Sequence, residues 1–346
     1  MERLRQGILS GRLSGRLPRQ MELARRFGVS RATMTAVVER LKREGFLWAR
    51  QKTGTVVQSR LPHLRNLALV IPSAPDAFHY WSRYYATLTR QAQVLDHKLD
   101  RRVMVFNGVE NPFSPDRERL THMIQTQQLA GLIFPSAPSY AAGTPILDHP
   151  GVPRVAPMMG RALPNVTAIE VVHYSLMEKA VKYLASRSRR RIAFMGLPLT
   201  AEDDRFLDRL LHKNGMTSPS AWRLGLSLEY PESARNCARL LMYAGQKTRP
   251  DGLVVLDDNL VDDAVAGLVA EEARVPKDLD VVVHCNFPWP EVKVMPVKRL
   301  GLDIQAFLLT AIDLIDRRRR GEPVPDVTPI ESVWEEEISS DVRTAI

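Results

Sequence analysis

Cysteine is nearly missing from this sequence: 346 residues hold two, Cys237 and Cys285, far apart and outside any metal-ligand spacing. That leaves no disulfide framework and no metal site to expect, and it fits a reducing, cytoplasmic compartment. No apolar run reaches the roughly 18 residues of a membrane helix, so a membrane protein is not expected. The first residues, MERLRQGILSGRL, carry charge but no apolar core and no small-residue cleavage site, so they do not read as a secretory leader. Also lacking are G-x-S-x-G, a P-loop, G-x-G-x-x-G and H-E-x-x-H, and the eight histidines are scattered. No nucleophile, phosphate cradle or catalytic metal is therefore expected, and neither an enzyme nor a cofactor is predicted. His149, His173 and His284 read as structural or pocket-lining.

Acidic residues are scarce in one place only. Residues 1–65 hold fifteen Lys and Arg against four Glu. This surplus exceeds the whole chain's net charge of +9, so the rest of the chain is slightly acidic. A small basic head on a near-neutral body is the charge footprint of a nucleic-acid-binding domain joined to something else.

Within that head, residues 17–57 read LPRQMELARRFGVSRATMTAVVERLKREGFLWARQKTGTVV. A first helix is expected over residues 1–10, with Leu4, Ile8 and Leu9 on one side. A second follows Pro18, with Met21, Leu23, Ala24 and Phe27 apolar. Gly28 supplies the turn, because glycine enters the left-handed region cheaply. Val29 is expected to plug the core, and Ser30 to cap a third helix. That helix should run from about Arg31 to Glu44, since Met34, Val37, Val38 and Leu41 fall on one face. Gly45 ends it. Phe46–Arg50 and Thr55–Val57 then form a ribbon with Gln51, Lys52, Thr53 and Gly54 at its tip. This is a winged helix-turn-helix, in which the start of the recognition helix enters the major groove of DNA. Arg31, Thr33 and Thr35 lie near that start; an arginine donates to guanine edges or phosphates. Lys52 is placed to reach a phosphate or the minor groove.

The string LSGRLSGRLPRQMELARRFGVSRATMTAVVERLKREGFL…TGTVV closely resembles the winged helix of GntR-type bacterial transcription regulators over about 50 residues. The resemblance implies DNA contacts at Arg31 in GVSRAT and at the Lys52, Thr53 and Gly54 tip. Three positions depart from the family pattern. Arg19 stands for the usual serine after LP and is a candidate phosphate contact, Met21 stands for an arginine, and Thr35 stands for another. Operator preference is therefore this chain's own.

QSRLPHLRN, residues 58–66, reads as a tether. Beyond it the texture changes to apolar runs alternating with helical segments. NLALVIPS (66–73) reads as a strand buried on both faces, as in parallel sheets. Further strands are expected at 101–108, 130–138, 152–159, 190–198, 251–258 and 279–286, with a weak strand in SAWRLGLS and a short edge strand in VMPVKRLGLD. Helices are expected at 81–98, 114–128, 171–186, 202–214, 232–245, 259–273 and 303–320. Alternation of this kind means α/β units.

In order, NLALVIPS, AGLIFPSAP, RRRIAFMGLP and RPDGLVVLDDNLVDDAVAGLVAEEARVPKDLDVVVHCN resemble the effector domain of LacI/GalR-type regulators, a two-lobed, periplasmic-binding-protein-like (type I) α/β fold. A GntR-type head on such a body resembles the arabinose-repressor subgroup. The expected organisation is a winged helix-turn-helix at 1–58, a linker at 59–65, and an effector and dimerisation domain at 66–346. Its first lobe is expected at about 66–162 and 290–322, its second at about 163–289 and 323–346. In such folds ligands meet strand ends and the loops after them. By position the resemblance implies Phe78, Tyr80 and Trp81 as stacking groups, with Ser136, Arg161, Asp258 and Asn286 as polar contacts. Aromatic faces and Asp or Asn side chains suit a sugar-like effector; equally, the aromatics could pack between lobes and Asp258 could cap a helix. Glu202, the pair Val172 and His173, and Asn286 depart from the family's residues. The expected partners are double-stranded operator DNA, a small sugar-like effector and a second copy of the chain in a homodimer. A body that only dimerises or binds a protein partner stays open as the alternative.

Overall fold

Residues 1–57 build a small helical core of their own, ahead of the first strand of any large sheet. The computed structural model describes residues 1–9, 12–50, 54–58, 61–76, 82–99, 101–158, 163–290 and 294–338. The head comprises α1 (Glu2–Leu9), α2 (Gln20–Phe27), α3 (Arg31–Arg43), β1 (Leu47–Arg50) and β2 (Gly54–Val57). Leu4, Ile8, Leu23, Met34, Val38, Leu41, Phe46 and Leu47 make its buried core, each such side chain contributing about 1.5–3 kcal/mol. Gly28 takes a left-handed backbone at φ 66° after α2, as the turn requires, and Ser30 caps α3. One expectation fails here: Val29 is 39% exposed, so it does not plug the core. At the other end of α3 lies a buried ion pair: Arg5 of α1 reaches Glu44, and Glu44 also accepts from Arg40 at 2.9 Å.

The tether is shorter than expected. Pro62–Arg65 forms a helical turn, α4, that runs straight into β3 (Asn66–Val70). The His63 ring stacks on Phe46 of the head, and Arg101 of the body donates to the Leu64 carbonyl.

The body then lays down α5 (Arg83–Lys98), β4 (Arg102–Phe106), α6 (Pro115–Gln125), β5 (Gly131–Ile133), α7 (Pro145–Asp148), β6 (Arg154–Pro157) and β7 (Thr167–Val171). These are followed by α8 (His173–Ser186), β8 (Ile192–Gly196), α9 (Ala201–Lys213), β9 (Arg223–Gly225), α10 (Ser233–Met242), β10 (Gly252–Val255) and α11 (Val261–Ala270). The chain closes with β11 (Asp280–Phe287), β12 (Lys298–Asp303), α12 (Ile304–Arg320), β13 (Val327–Ile330) and β14 (Val333–Trp334). Two six-stranded sheets result, ordered β13-β7-β6-β5-β3-β4 and β14-β12-β11-β10-β8-β9. Every pairing is parallel except β12 with β14. Strands such as β3, β8 and β10 are buried on both faces because helices cover both sides, which is why they read as continuous apolar runs.

The lobe crossings fall later in the chain than expected. β7 belongs to the first sheet, so the first crossing is at Val172 and not near residue 162. β12 pairs with β11, so it is an inner strand of the second lobe and not an edge of the first. The chain returns to the first lobe only at α12, whose Phe307, Leu308, Ala311 and Ile315 enter that lobe's core. β13 completes the first sheet beside β7, and the third crossing follows at Glu331 and Ser332.

Candidate functional site

Two concave sites are built from residues singled out above. The first is on the head. Arg16 pairs with Val56 as an isolated antiparallel bridge, and Leu17 donates to the Thr55 carbonyl at 2.9 Å. The segment before α2 thus lies beside β2, and a basic concavity of about 410 Å3 opens between it, α2 and α3. Arg16, Arg19, Gln20, Arg31 and Gly54 line it. Gly54 holds φ +89°, which keeps the wing strand's first residue free of a side chain. Among the described residues none of the three arginines has a carboxylate partner. Arg19 gives α2 no side-chain cap, since guanidinium cannot accept a hydrogen bond.

Thr33 and Thr35 are engaged within the head. Thr33 donates its backbone N–H to Ser30 Oγ at 3.1 Å, and the two hydroxyls are 2.8 Å apart. Thr35 Oγ1 lies 2.9 Å from Gln20 Oε1 and 3.0 Å from the Arg31 carbonyl, tying α3 to α2. Arg31 and Thr33 are exposed, Thr35 half-buried. Lys52 and Thr53 lie outside the described residues. Arg16 and Gln20 were missed because the signal, a strand-like segment before the second helix, is not periodic.

The second site is a cleft of about 590 Å3 between the lobes. It opens at the carboxyl ends of both sheets, where parallel α/β folds bind ligands. Ser73, Pro135, Pro157 and Val171 come from the first lobe's strand ends; Leu197, Ser227, Asp257, Asp258 and Asn286 come from the second's. Asp258 and Asn286 both line it and are buried, at 2% and 4% exposure. Asn286 donates its backbone N–H at 3.1 Å and its Nδ2 at 2.9 Å, both to Asp258 Oδ2. Burial pushes the Asp258 carboxyl up; His284 and the two bonds from Asn286 oppose that. Asp257 caps the following turn, accepting from the Asn259 N–H at 2.9 Å. Asp258 is therefore a wall of the cleft, and capping falls to its neighbour.

Ser136 lies beside the cleft, hydrogen-bonded to Tyr85, whose phenol burial pushes up. Tyr84 donates to the Pro135 carbonyl at 2.9 Å, and burial likewise raises its phenol. Tyr84 and Tyr85 line the cleft and were missed, although they stand in the same aromatic stretch as Tyr80 and Trp81. Phe78, Tyr80, Trp81 and Arg161 lie outside the described residues. Glu202 is exposed in the first turn of α9, away from the cleft. The described lining carries three carboxylates, Glu229, Asp257 and Asp258, and no Lys or Arg. Across the cleft mouth, Arg83 of α5 pairs with Asp262, donates its backbone N–H to Asn259 at 3.0 Å, and stacks on Trp289. Among the described residues no three His, Cys, Asp or Glu converge to hold a metal, and no helix is long and apolar enough to cross a membrane.

Residues 1–57 match the family described as bacterial regulatory proteins, gntR family. No curated protein sequence matches the chain. Among solved structures, a LacI family transcriptional regulator from Arthrobacter sp. FB24, in complex with lactose, is similar at 18% identity and TM-score 0.59, over 78% of this chain and 97% of that one. One from Lactobacillus casei with bound glucose is similar at 17% identity and TM-score 0.57, over 78% and 98%. One from Mycobacterium smegmatis is similar at 19% and 0.55, over 78% and 96%. At such identities the likeness is one of fold. The chain joins a gntR-type DNA-binding head to a two-lobed body of the LacI-regulator fold, and is a transcription regulator.

Proposed function

We propose that the protein represses transcription by binding operator DNA as a homodimer, and that an uncharged, sugar-like ligand in the interlobe cleft sets its DNA affinity. The observation that carries this is the cleft itself, with the buried Asp258–Asn286 pair at the strand ends of the same chain that bears the basic head concavity. Three carboxylates, with no Lys or Arg among the described lining residues, favour a neutral polyol over a sugar acid or sugar phosphate. Tyr84 and Tyr85 supply faces for C–H groups. The sugars held by the Arthrobacter and Lactobacillus proteins support the same class. In this reading Arg16, Arg19, Arg31 and Gly54, with Lys52 and Thr53 at the wing tip, form the DNA face. Ligand closes the lobes and shifts the spacing of paired heads, limited by its differential affinity for the two states. Leu240, Tyr243 and Val269, 64%, 58% and 51% exposed on α10, the turn after it and α11, support a dimer contact in the second lobe. The head-and-body combination keeps the resemblance to the arabinose-repressor subgroup.

The test is a thermal-shift panel of pentoses, hexoses and sugar acids on the purified protein, followed by operator titrations with any hit. A saturable shift from a neutral sugar that changes operator affinity is expected. No hit across the panel would favour a body that only dimerises, a reading supported by Asn286 already filling Asp258's acceptor.

A further inference from the structure

A second, larger cavity lies away from the cleft, where the head meets the first lobe, and measures about 850 Å3. Gln6 and Leu9 of α1, His63 of α4, the loop before β6 and the carboxyl end of α12 wall it. Gln6 Nε2 donates across the junction to Gln127 Oε1 at 3.3 Å.

α12 ends in four consecutive arginines, and they divide into two pairs. Arg317 faces Asp313 and donates to the Pro323 carbonyl, and Arg320 pairs with Glu322. Arg318 and Arg319 instead line the cavity. They donate to Thr167 Oγ1 at 3.2 Å and to the Ala130 carbonyl at 3.2 Å, and neither has a carboxylate in contact among the described residues. The helix dipole explains cations at a helix carboxyl end; it does not explain two of them turned into a cavity. The third cation, buried Arg154, is spent on the carbonyls of Ile146, Val152 and His149. The lining's one carboxylate, Asp148, acts on that same Arg154. The His63 Nδ1 is buried without a partner. Two guanidinium charges thus face the cavity with no carboxylate of its described lining in contact; Asp316, already paired with Arg101, acts on Arg319 from outside the lining.

We propose that this junction cavity binds a small doubly charged oxyanion, a phosphate group or a dicarboxylate, between Arg318, Arg319 and the head. Guanidinium forks suit both chemistries. Because α1 and α4 are walls of the site, an occupied cavity fastens the head to the first lobe. The cavity is opposite in charge to the interlobe cleft, so one chain reads a neutral ligand in one place and an anion in another.

The experiment is thermal melting of the full-length protein with inorganic phosphate or malonate, against chloride at matched ionic strength. A saturable rise of about 2–4 °C at tenfold excess over Kd is expected from at least one anion. Tryptic cleavage within residues 58–66 should slow with it. Arg318→Gln with Arg319→Gln should abolish the shift, while Arg317→Gln with Arg320→Gln should keep it. If the first double variant folds poorly, Arg318→Gln alone, an exposed side chain, should still weaken binding tenfold or more. A shift no larger than chloride's overturns the proposal. So does one that Arg318→Gln leaves unchanged, or one that the Arg317 and Arg320 variant loses equally.

Discussion

Asn286→Asp would put a second carboxylate against Asp258 Oδ2, where Nδ2 now donates at 2.9 Å. Both positions are buried, so water cannot screen the pair. The loss has two parts. A hydrogen bond to a charged acceptor disappears, which costs about 1.5–3 kcal/mol. Two unit charges some 3 Å apart then repel by about 5 kcal/mol at an effective dielectric of 20. The pair escapes the second part by holding one proton between them, as coupled carboxyls do. That escape costs about 1.4 kcal/mol for each pH unit above the ordinary carboxylate range. The folded pKa is thus raised above the unfolded value, and destabilisation grows as pH rises from about 4 until repulsion caps it. We expect a loss of about 5–6 kcal/mol at pH 8, where the shared proton is the cheaper route, falling to about 1–2 kcal/mol at pH 5. Urea unfolding from pH 5 to 8 measures it, with Asn286→Ala as the comparison that lacks the new charge, loses only the bond to Asp258 and should depend less steeply on pH. A difference between Asn286→Asp and wild type that stays flat with pH would refute the argument that these two side chains share a dry site.

Three further outcomes follow from the head and the junction. Glu44→Ala removes the carboxylate that both Arg5, 1% exposed, and Arg40 reach; the head should lose about 3–5 kcal/mol by thermal melting, and a loss under about 1 kcal/mol would contradict a buried pair. Arg31→Ala should weaken operator binding by about 1–3 kcal/mol, whereas Arg16→Ala should lower the salt slope by about one without changing sequence preference, both read by anisotropy titration in graded salt. His63 is held down to about 4, first by burial and then by Arg319, against 6.5 when unfolded. Between those values only the unfolded chain takes up the proton, so stability should fall as pH drops from about 6.5 to 4 and level off below. The full shift would be worth about 3.4 kcal/mol, and solvent screening of a partly exposed ring reduces this to about 1–2 kcal/mol. His63→Phe should flatten that limb in a pH series of thermal melts.

Elements with a strong local signal were legible in the sequence. α3 has a cap at Ser30 and an apolar face at Met34, Val38 and Leu41, and it forms as expected. β3, β8 and β10 are apolar throughout because the sheet is covered twice. The short β7, β13 and β14 were not legible; Thr167–Val171 alternates only weakly and runs into the helix expected from Val171. VMPVKRLGLD looked like an edge because Lys298 and Arg299 are charged; Arg299 is in fact buried, bonded to Glu335 and Cys285. Such long-range partners leave no local pattern. In the cleft, Asp258 and Asn286 were legible through their strand-end positions. Tyr84 and Tyr85 were not, since a helix start carries no mark of what its first turn faces. On the head, Thr35 looked free to read a base because its bond to Gln20 depends on the angle between two helices.

The first lobe's sheet takes its last strand, β13, from residues 327–330, although its other strands are finished by Val171. During synthesis the head, with its own core, is complete by Val57. The ribosome must then deliver most of the chain before the first lobe acquires α12 and β13. Domains fold as they emerge, so the head exists well before the body is complete. A chain cut short anywhere between Ser186 and Ile304 would carry a finished head but neither a complete first lobe nor the cleft between the lobes.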